Sequence, residues 1–132
     1  MDKVANNNLT PEIKCSLKII NTFPDAQSGL VEDLTFILAN PPNVTYSEGI
    51  FVCELSATNY VQTWEVTSVL DIMLSDVRFA ADKIKSIAKK YDAQLLVDIV
   101  FYHYDRFPAL IFDGSAMRLI NYLNADISID AY

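Results

Sequence analysis

The chain has 132 residues, of which 52% are hydrophobic and 20% charged. This is enough apolar material for one domain with its own core, which excludes a disordered chain. A net charge of −7 repels nucleic-acid phosphates, so we expect no DNA or RNA binding. The same charge suits a basic protein partner, although solubility alone also explains it.

The N-terminal segment lacks the pattern of a targeting sequence. Residues 1–8 contain no basic stretch followed by an apolar run, which argues against a signal peptide. No window of the chain approaches the roughly 18 apolar residues of a membrane span. We therefore predict a cytoplasmic protein that does not associate with membranes.

The first 40 residues predict an arm, a strand and a helix. Residues 1–10 are polar and predict a loose N-terminal arm. Apolar residues at every second position from Ile13 to Ile19 predict a half-buried strand. A break over Phe23–Gly29 leads to an amphipathic helix over Leu30–Leu38, which the following Pro-Pro pair ends.

Three strands are predicted next. Val44–Tyr46 and Ile50–Leu55 form a hairpin around a short turn, and Gln62–Val69 forms a further strand with Trp64 on one face. The two cysteines, Cys15 and Cys53, fall on the apolar faces of predicted strands. Buried free thiols are common in that position, and a disulfide remains an alternative if the two strands are neighbours.

A long helix is predicted after Ser75, which we interpret as its N-cap, with Asp76 in the first turn. Lys89 and Lys90 lie in its last turn, where cations suit the helix dipole. The predicted core-facing stripe consists of Leu74, Val77, Ala80, Ala81, Ile84, Ile87, Ala88 and Tyr91.

The strand predicted over Ala93–Tyr104 is apolar on both faces, which is typical of a central strand. A turn leads to a hairpin strand over Ala109–Phe112. Ser115 is expected to cap a short helix that reaches Leu123, with Asn124 as its C-terminal cap. A final strand should bury Ile127 and Ile129.

Together these elements predict an α+β fold in a single domain. We expect a mostly antiparallel sheet of about six strands, with two to three helices packed on one face.

The order of the later elements resembles a known family. Trp64 opens a predicted strand, a long helix leads to the strand that ends in Phe101–Asp105, and a short helix precedes the terminal Asp126–Tyr132. This pattern, over roughly residues 13–132, is similar to the bacterial domain-of-unknown-function family 4279. The resemblance implies a bacterial, non-secreted domain and assigns no activity and no catalytic residues.

One aromatic and charged cluster stands out as a partner-binding candidate: Tyr102, Tyr104, Asp105 and Arg106. Tyr and Arg are enriched at interface hot spots. The alternative is that the tyrosines cover a second layer and that Arg106 pairs within a turn.

Carboxylates form a second candidate site, because Asp126 and Asp130 alternate along the last strand. If that strand lies beside the central one, they could converge with Asp98 and Asp113 and receive a basic partner or a divalent ion. The alternative is an edge strand whose charges discourage aggregation.

No motif carries catalytic or cofactor chemistry. The single histidine, His103, and two separated cysteines do not form a zinc site. The chain has no phosphate-binding glycine loop and no nucleophile elbow. We therefore predict no catalytic residues, no metal and no cofactor, and we interpret His103 as a packed strand residue.

Three functions remain open. We favour a non-enzymatic binding protein, most concretely an immunity-type inhibitor that neutralises a basic bacterial toxin. The alternative is a small-ligand binding or sensing domain with a pocket near Trp64, His103 and Tyr102. An enzyme that uses His103 with a carboxylate is the third hypothesis and has the weakest support.

Overall fold

The computed structural model describes residues 9–21, 27–38, 41–104 and 106–132. Most of the predicted arm and most of the predicted break over Phe23–Gly29 lie outside these residues. The described elements follow the order β1 (Glu12–Asn21), α1 (Gln27–Ile37), β2 (Asn43–Ser47), β3 (Ile50–Ala57), β4 (Val61–Gln62), α2 (Val66–Val77), a 3-10 turn (Arg78–Ala80), α3 (Ala81–Lys90), β5 (Gln94–Tyr102), α4 (Gly114–Tyr122) and β6 (Asp126–Ala131).

Within the described ranges the six strands form one sheet with the order β2-β3-β1-β5-β6, and β4 pairs with the start of β1. Every pairing is antiparallel except that of β5 with β6, which is parallel. The long strands β1 and β5 lie side by side, from Glu12 opposite Tyr102 to Ile20 opposite Gln94. The predicted mostly antiparallel sheet with a central β5 is confirmed.

The hydrophobic core lies on one face of this sheet. Alternate residues of β1, β3 and β5 point to it, and the helices cover it with buried side chains. Its strand members are Ile13, Cys15, Leu17, Ile19, Phe51, Cys53, Leu55, Leu95, Val97, Ile99 and Phe101. No helix among the described residues covers the other face, which we call the open face. The expectation of an α+β domain with helices on one face is confirmed.

The predicted strand over Gln62–Val69 is wrong beyond Gln62. Helix α2 begins at Val66, because its buried residues recur with helical spacing: Val66, Val69, Leu70, Met73, Leu74 and Val77. Trp64 therefore lies in the bend between β4 and α2 rather than in a strand.

Ser75 is not a helix N-cap. It lies inside α2, where its hydroxyl donates to the carbonyl of Ile72 at 2.8 Å. Helix α2, the 3-10 turn and α3 follow one another without a loop, so the predicted apolar stripe continues across the junction. Its members from Leu74 to Ala88 are all buried.

Three local predictions near the C-terminus need correction. Residues 109–112 form no strand apart from an isolated bridge between Glu65 and Ala109. Asp113, rather than Ser115, caps α4, since its Oδ1 accepts from the backbone N–H of Ala116 at 2.7 Å. Ile129 is 42% exposed, because β6 is an edge strand.

Asn124 has a φ of 54°, as its predicted C-terminal capping role requires.

Among the described helices, none combines the length and the apolar character needed to cross a membrane.

Candidate functional site

Three tyrosines form a row at one end of the sheet, and we call Tyr60, Tyr102 and Tyr132 the tyrosine row. The ring centroid of Tyr102 lies 5.4 Å from that of Tyr60 and 5.4 Å from that of Tyr132. The three side chains are 45%, 42% and 63% exposed, respectively. Contact at this spacing supports an ordered arrangement of the rings while their outer surface stays open to solvent.

The strands position this row. Tyr102 is the last residue of β5 and lies opposite Glu12 of β1, on the open face. Tyr132 follows β6, and two backbone hydrogen bonds tie it to the end of β5: its N–H donates to the Phe101 carbonyl and its carbonyl accepts from His103 N–H, each at 3.0 Å. Tyr60 lies between β3 and β4. The row is therefore built on the sheet rather than on a free loop.

A charged side chain borders the tyrosine row. The ammonium group of Lys14 lies 5.9 Å from the ring centroid of Tyr60, within the range of a cation–π contact. Burial first, and then its hydrogen bond with Tyr102, raises the pKa of Tyr60. Tyr60 thus stays neutral at physiological pH.

An ion pair crosses the open face further along the strands. Lys18 of β1 donates to Asp98 Oδ2 of β5 at 2.7 Å, and the two side chains are 26% and 13% exposed. The other oxygen, Asp98 Oδ1, is buried without a hydrogen-bond partner among the described residues. Lys18 thus offsets the negative charge of Asp98 on this face.

A second arrangement lies at the same end of the sheet but on its core side. The guanidinium carbon of Arg106 lies 4.9 Å from the ring centroid of Trp64. Ala109 N–H donates to the Trp64 carbonyl at 2.7 Å and thereby holds the two segments together. A cavity of about 430 Å³ lies beside them, lined by Trp64, Arg106, Phe107, Pro108 and Ala109.

His103 packs against aromatic rings. Its ring centroid lies 4.5 Å from that of Phe107 in an edge-on contact and 6.1 Å from that of Phe101. Its buried Nδ1 has no hydrogen-bond partner in the described part of the chain. The described residues therefore offer no carboxylate–histidine pair of the kind that acid–base catalysis uses.

The structure divides the predicted partner-binding residues between two faces. Tyr102 belongs to the tyrosine row on the open face, whereas Arg106 stacks on Trp64 at the core side. Tyr104 is 50% exposed, and Asp105 lies outside the described residues. Neither His103 nor Tyr102 lines the cavity beside Trp64, and a pocket near all three residues stays a prediction.

Only three of the four carboxylates expected to converge share one face: Asp98 lies opposite Ser128, between Asp126 and Asp130. Asp126 and Asp130 lie on the open face beside Leu96 and Val100, about 13 Å apart along the strand. Asp113 instead caps α4, where the Ala116 N–H holds its pKa below the usual range. Within the described ranges no group of His, Cys, Asp and Glu has an arrangement that could hold a metal ion.

Sequence reasoning missed two members of the tyrosine row, Tyr60 and Tyr132. Their only sequence signal is their position just outside predicted strands. Each approaches Tyr102 through strand pairing, which the local pattern does not specify.

Comparison with known proteins gives a family but no activity. No curated protein and no solved structure matches the chain. A family model described as "Domain of unknown function (DUF4279)" matches residues 43–132, from the start of β2 to Tyr132. The match covers the tyrosine row, the Trp64–Arg106 pair and β6, and it leaves out β1 and α1. The chain belongs to the DUF4279 family.

Proposed function

We propose that this chain is a non-enzymatic binding protein that holds a basic protein partner through the tyrosine row. The observation that supports this most directly is the row itself, three exposed and ordered aromatic rings on a sheet face. Tyrosine provides a large contact area at a low cost in side-chain entropy, and it is enriched at interface hot spots.

The charge of the chain supports a basic partner. A net charge of −7 attracts a cationic protein over a distance and speeds its encounter. Asp130 and Glu12 lie on the same face as Tyr102, so acidic groups flank the aromatic contacts. An aromatic centre with a charged rim is a common composition of protein interfaces.

The specific form of the proposal is an immunity-type inhibitor that acts in the cytoplasm. In this mechanism the protein covers the active site, or an adjacent surface, of a basic bacterial toxin. The carboxylates around the tyrosine row take the place of the phosphates that such a toxin binds.

The proposal is tested by affinity capture from the native host with three forms of the tagged protein. We expect the wild type to retain one basic protein in stoichiometric amount, and Tyr102→Ala/Tyr132→Ala to lose it. Removal of a hot-spot tyrosine costs about 2 kcal/mol or more, which is roughly a thirtyfold loss of affinity. Retention should also weaken as the salt concentration rises.

Tyr46→Ala is the matched control, because Tyr46 is 65% exposed on the opposite edge strand. It should retain the partner like the wild type. If the captured protein is toxic when expressed alone, co-expression with the wild type should restore growth and the double variant should not. Equal capture by all three forms would rule out the tyrosine row as the contact surface.

A second candidate function is the binding of a small ligand beside Trp64. The observation that favours it is the cation–π contact between Arg106 and Trp64, both of which line a cavity of about 430 Å³. A cation next to an indole ring suits a small molecule with a flat ring and an anionic group.

A thermal-shift screen of aromatic carboxylates and phosphate esters tests this candidate. A compound present at about 100 times its Kd should stabilise the fold by about 2.7 kcal/mol and raise its Tm by several degrees. Arg106→Gln should abolish the shift, whereas Arg118→Gln, which alters an exposed residue of α4, should preserve it. A shift that survives Arg106→Gln would place the ligand elsewhere.

A further inference from the structure

The outer edge of β6 carries backbone groups that pair with no strand among the described residues. Strand β6 ends the sheet, and in the described part of the chain it pairs with β5 alone. Tyr132 directs both its N–H and its carbonyl towards β5, at Phe101 and His103. Since alternate residues of a strand direct their backbone groups to opposite sides, those of Ser128 and Asp130 also point to β5. The N–H and carbonyl groups of Ile127, Ile129 and Ala131 therefore point outwards.

The side chains of this edge differ between its two faces. Asp126, Ser128 and Asp130 line the open face, and the exposed Ile129 lies on the other. Asp126 accepts a hydrogen bond from the Gln94 amide. The described residues place no cation within ion-pair distance of Asp126 or Asp130. The edge thus presents two carboxylates, four residues apart, that have no cationic partner there.

A second copy of this chain is a poor partner for the edge. An antiparallel pair of two β6 strands would place all four carboxylates on one face of the resulting ribbon. In the register centred on Ser128, each Asp126 would lie directly opposite an Asp130 of the other copy. Like charges in directly opposed positions destabilise strand pairing, so the charges of this edge disfavour self-association.

We propose that β6 accepts an extended basic segment of a partner protein as an additional strand of the sheet. The backbone of the segment pairs with Ile127, Ile129 and Ala131, as in other cases of strand addition. Lys or Arg side chains at positions i and i+4 of the segment lie opposite Asp126 and Asp130, and apolar residues at i+1 and i+3 cover Ile127 and Ile129. This inference deepens the proposed function, on which it rests for the basic nature of the partner.

A synthetic peptide tests the inference on the isolated protein. The probe has the core Lys-Val-Thr-Val-Lys with a capped Thr at each end, and the control peptide has Glu in place of each Lys. We expect the lysine peptide to slow amide hydrogen exchange at Ile127, Ile129 and Ala131. The amides of Ser128 and Asp130 already donate to β5 and should change little. The glutamate peptide should protect none of the five amides from Ile127 to Ala131.

Two variants separate charge from backbone pairing. Asp126→Lys/Asp130→Lys should reverse the peptide preference, with roughly a tenfold change in affinity for each peptide. Glu32→Lys/Asp76→Lys changes the net charge equally on exposed helix positions and should keep the wild-type preference. Ile129→Pro removes an outward N–H, a substitution that edge strands tolerate, and should abolish protection without altering the circular dichroism spectrum.

Several results would overturn the inference. The first is protection of amides other than those of Ile127, Ile129 and Ala131, and the second is equal binding of the two peptides. The third is a wild-type dimer, detected by sedimentation, in which these three amides are already protected without peptide. The capture experiment on Tyr102 and Tyr132 separates this inference from the proposed function. Capture that depends on these tyrosines without peptide binding would remove the inference alone, and peptide binding without any captured basic protein would remove the proposed function alone.

Discussion

Replacing Phe101 by Ala should lower the free energy of unfolding by about 3–5 kcal/mol. Phe101 is 1% exposed and lies directly opposite Ile13 on the core face of the sheet. Its ring also packs edge-on against Phe107, with 5.6 Å between the ring centroids. Truncation leaves a cavity between sheet and loop that the surrounding rigid strands cannot fill.

Urea denaturation monitored by circular dichroism measures this loss. Tyr102→Ala is the matched control, because it truncates the next residue on the open face, where the side chain is 42% exposed. It should cost less than about 1 kcal/mol, the range of a cross-strand aromatic contact. A similar loss of unfolding free energy in the two variants would contradict the assignment of one buried face and one open face to β5.

Period-two patterns explain why the sheet was predictable from sequence. The residues of β5 from Leu95 to Phe101 alternate between buried and partly exposed positions. Strand β1 alternates in the same way around Lys14 and Lys18, except that Ser16 between them is also buried. Alternation depends on local chain geometry, so it can be recognised in the sequence of a single strand. Both strands were therefore identified to within one or two residues.

The start of α2 shows where local patterns mislead. Val66, Thr67 and Val69 are β-branched and favour a strand over a short window. The helical spacing appears only when the window extends to Val77. Tertiary packing of six buried α2 residues outweighs the local preference, because burying each large apolar side chain contributes about 1.5–3 kcal/mol.

The candidate sites depend on information that the sequence pattern lacks. Tyr102 was recognised from its own strand, but Tyr60 and Tyr132 join it through pairing with β1 and β5. A register slip of one residue would turn such a side chain to the other face. Likewise, the outward backbone groups of β6 follow from its parallel pairing with β5, which residue alternation cannot distinguish from an antiparallel one.

The pairing of β1 with β3 also decides the state of the two cysteines. Cys53 lies opposite Ile19, four residues and about 13 Å along β1 from Cys15. A disulfide requires Cα atoms within about 7 Å, so the two thiols are free, as the structure has them. Both are fully buried.

We expect Cys15 and Cys53 to resist alkylation until the protein unfolds. Burial first, and then the negative charge of Asp98, raises the pKa of Cys15 to about 12. Burial alone raises the pKa of Cys53 to about 12. Because the thiolate is the reactive species, raising the thiol pKa from 9.0 to about 12 lowers the thiolate population at pH 8 by about a thousandfold.

Labelling with iodoacetamide at pH 8, followed by mass spectrometry, measures this protection. The native protein should label at least about a thousand times more slowly than the protein in 6 M guanidinium, where both thiols should react. Rapid native labelling of one thiol would show that its strand opens locally. Failure to label under denaturing, non-reducing conditions would instead indicate a disulfide.

The same pKa shifts predict a loss of stability in alkali. Below pH 9 both states keep the thiols protonated, so these groups leave stability unchanged. Between pH 9 and 12 the unfolded chain releases the thiol protons while the folded chain retains them, which favours unfolding. Each thiol should lower the free energy of unfolding by about 1.4 kcal/mol per pH unit in this window.

Urea midpoints of Cys15→Ala/Cys53→Ala should therefore fall less steeply above pH 9 than those of the wild type, and parallel curves would contradict the prediction.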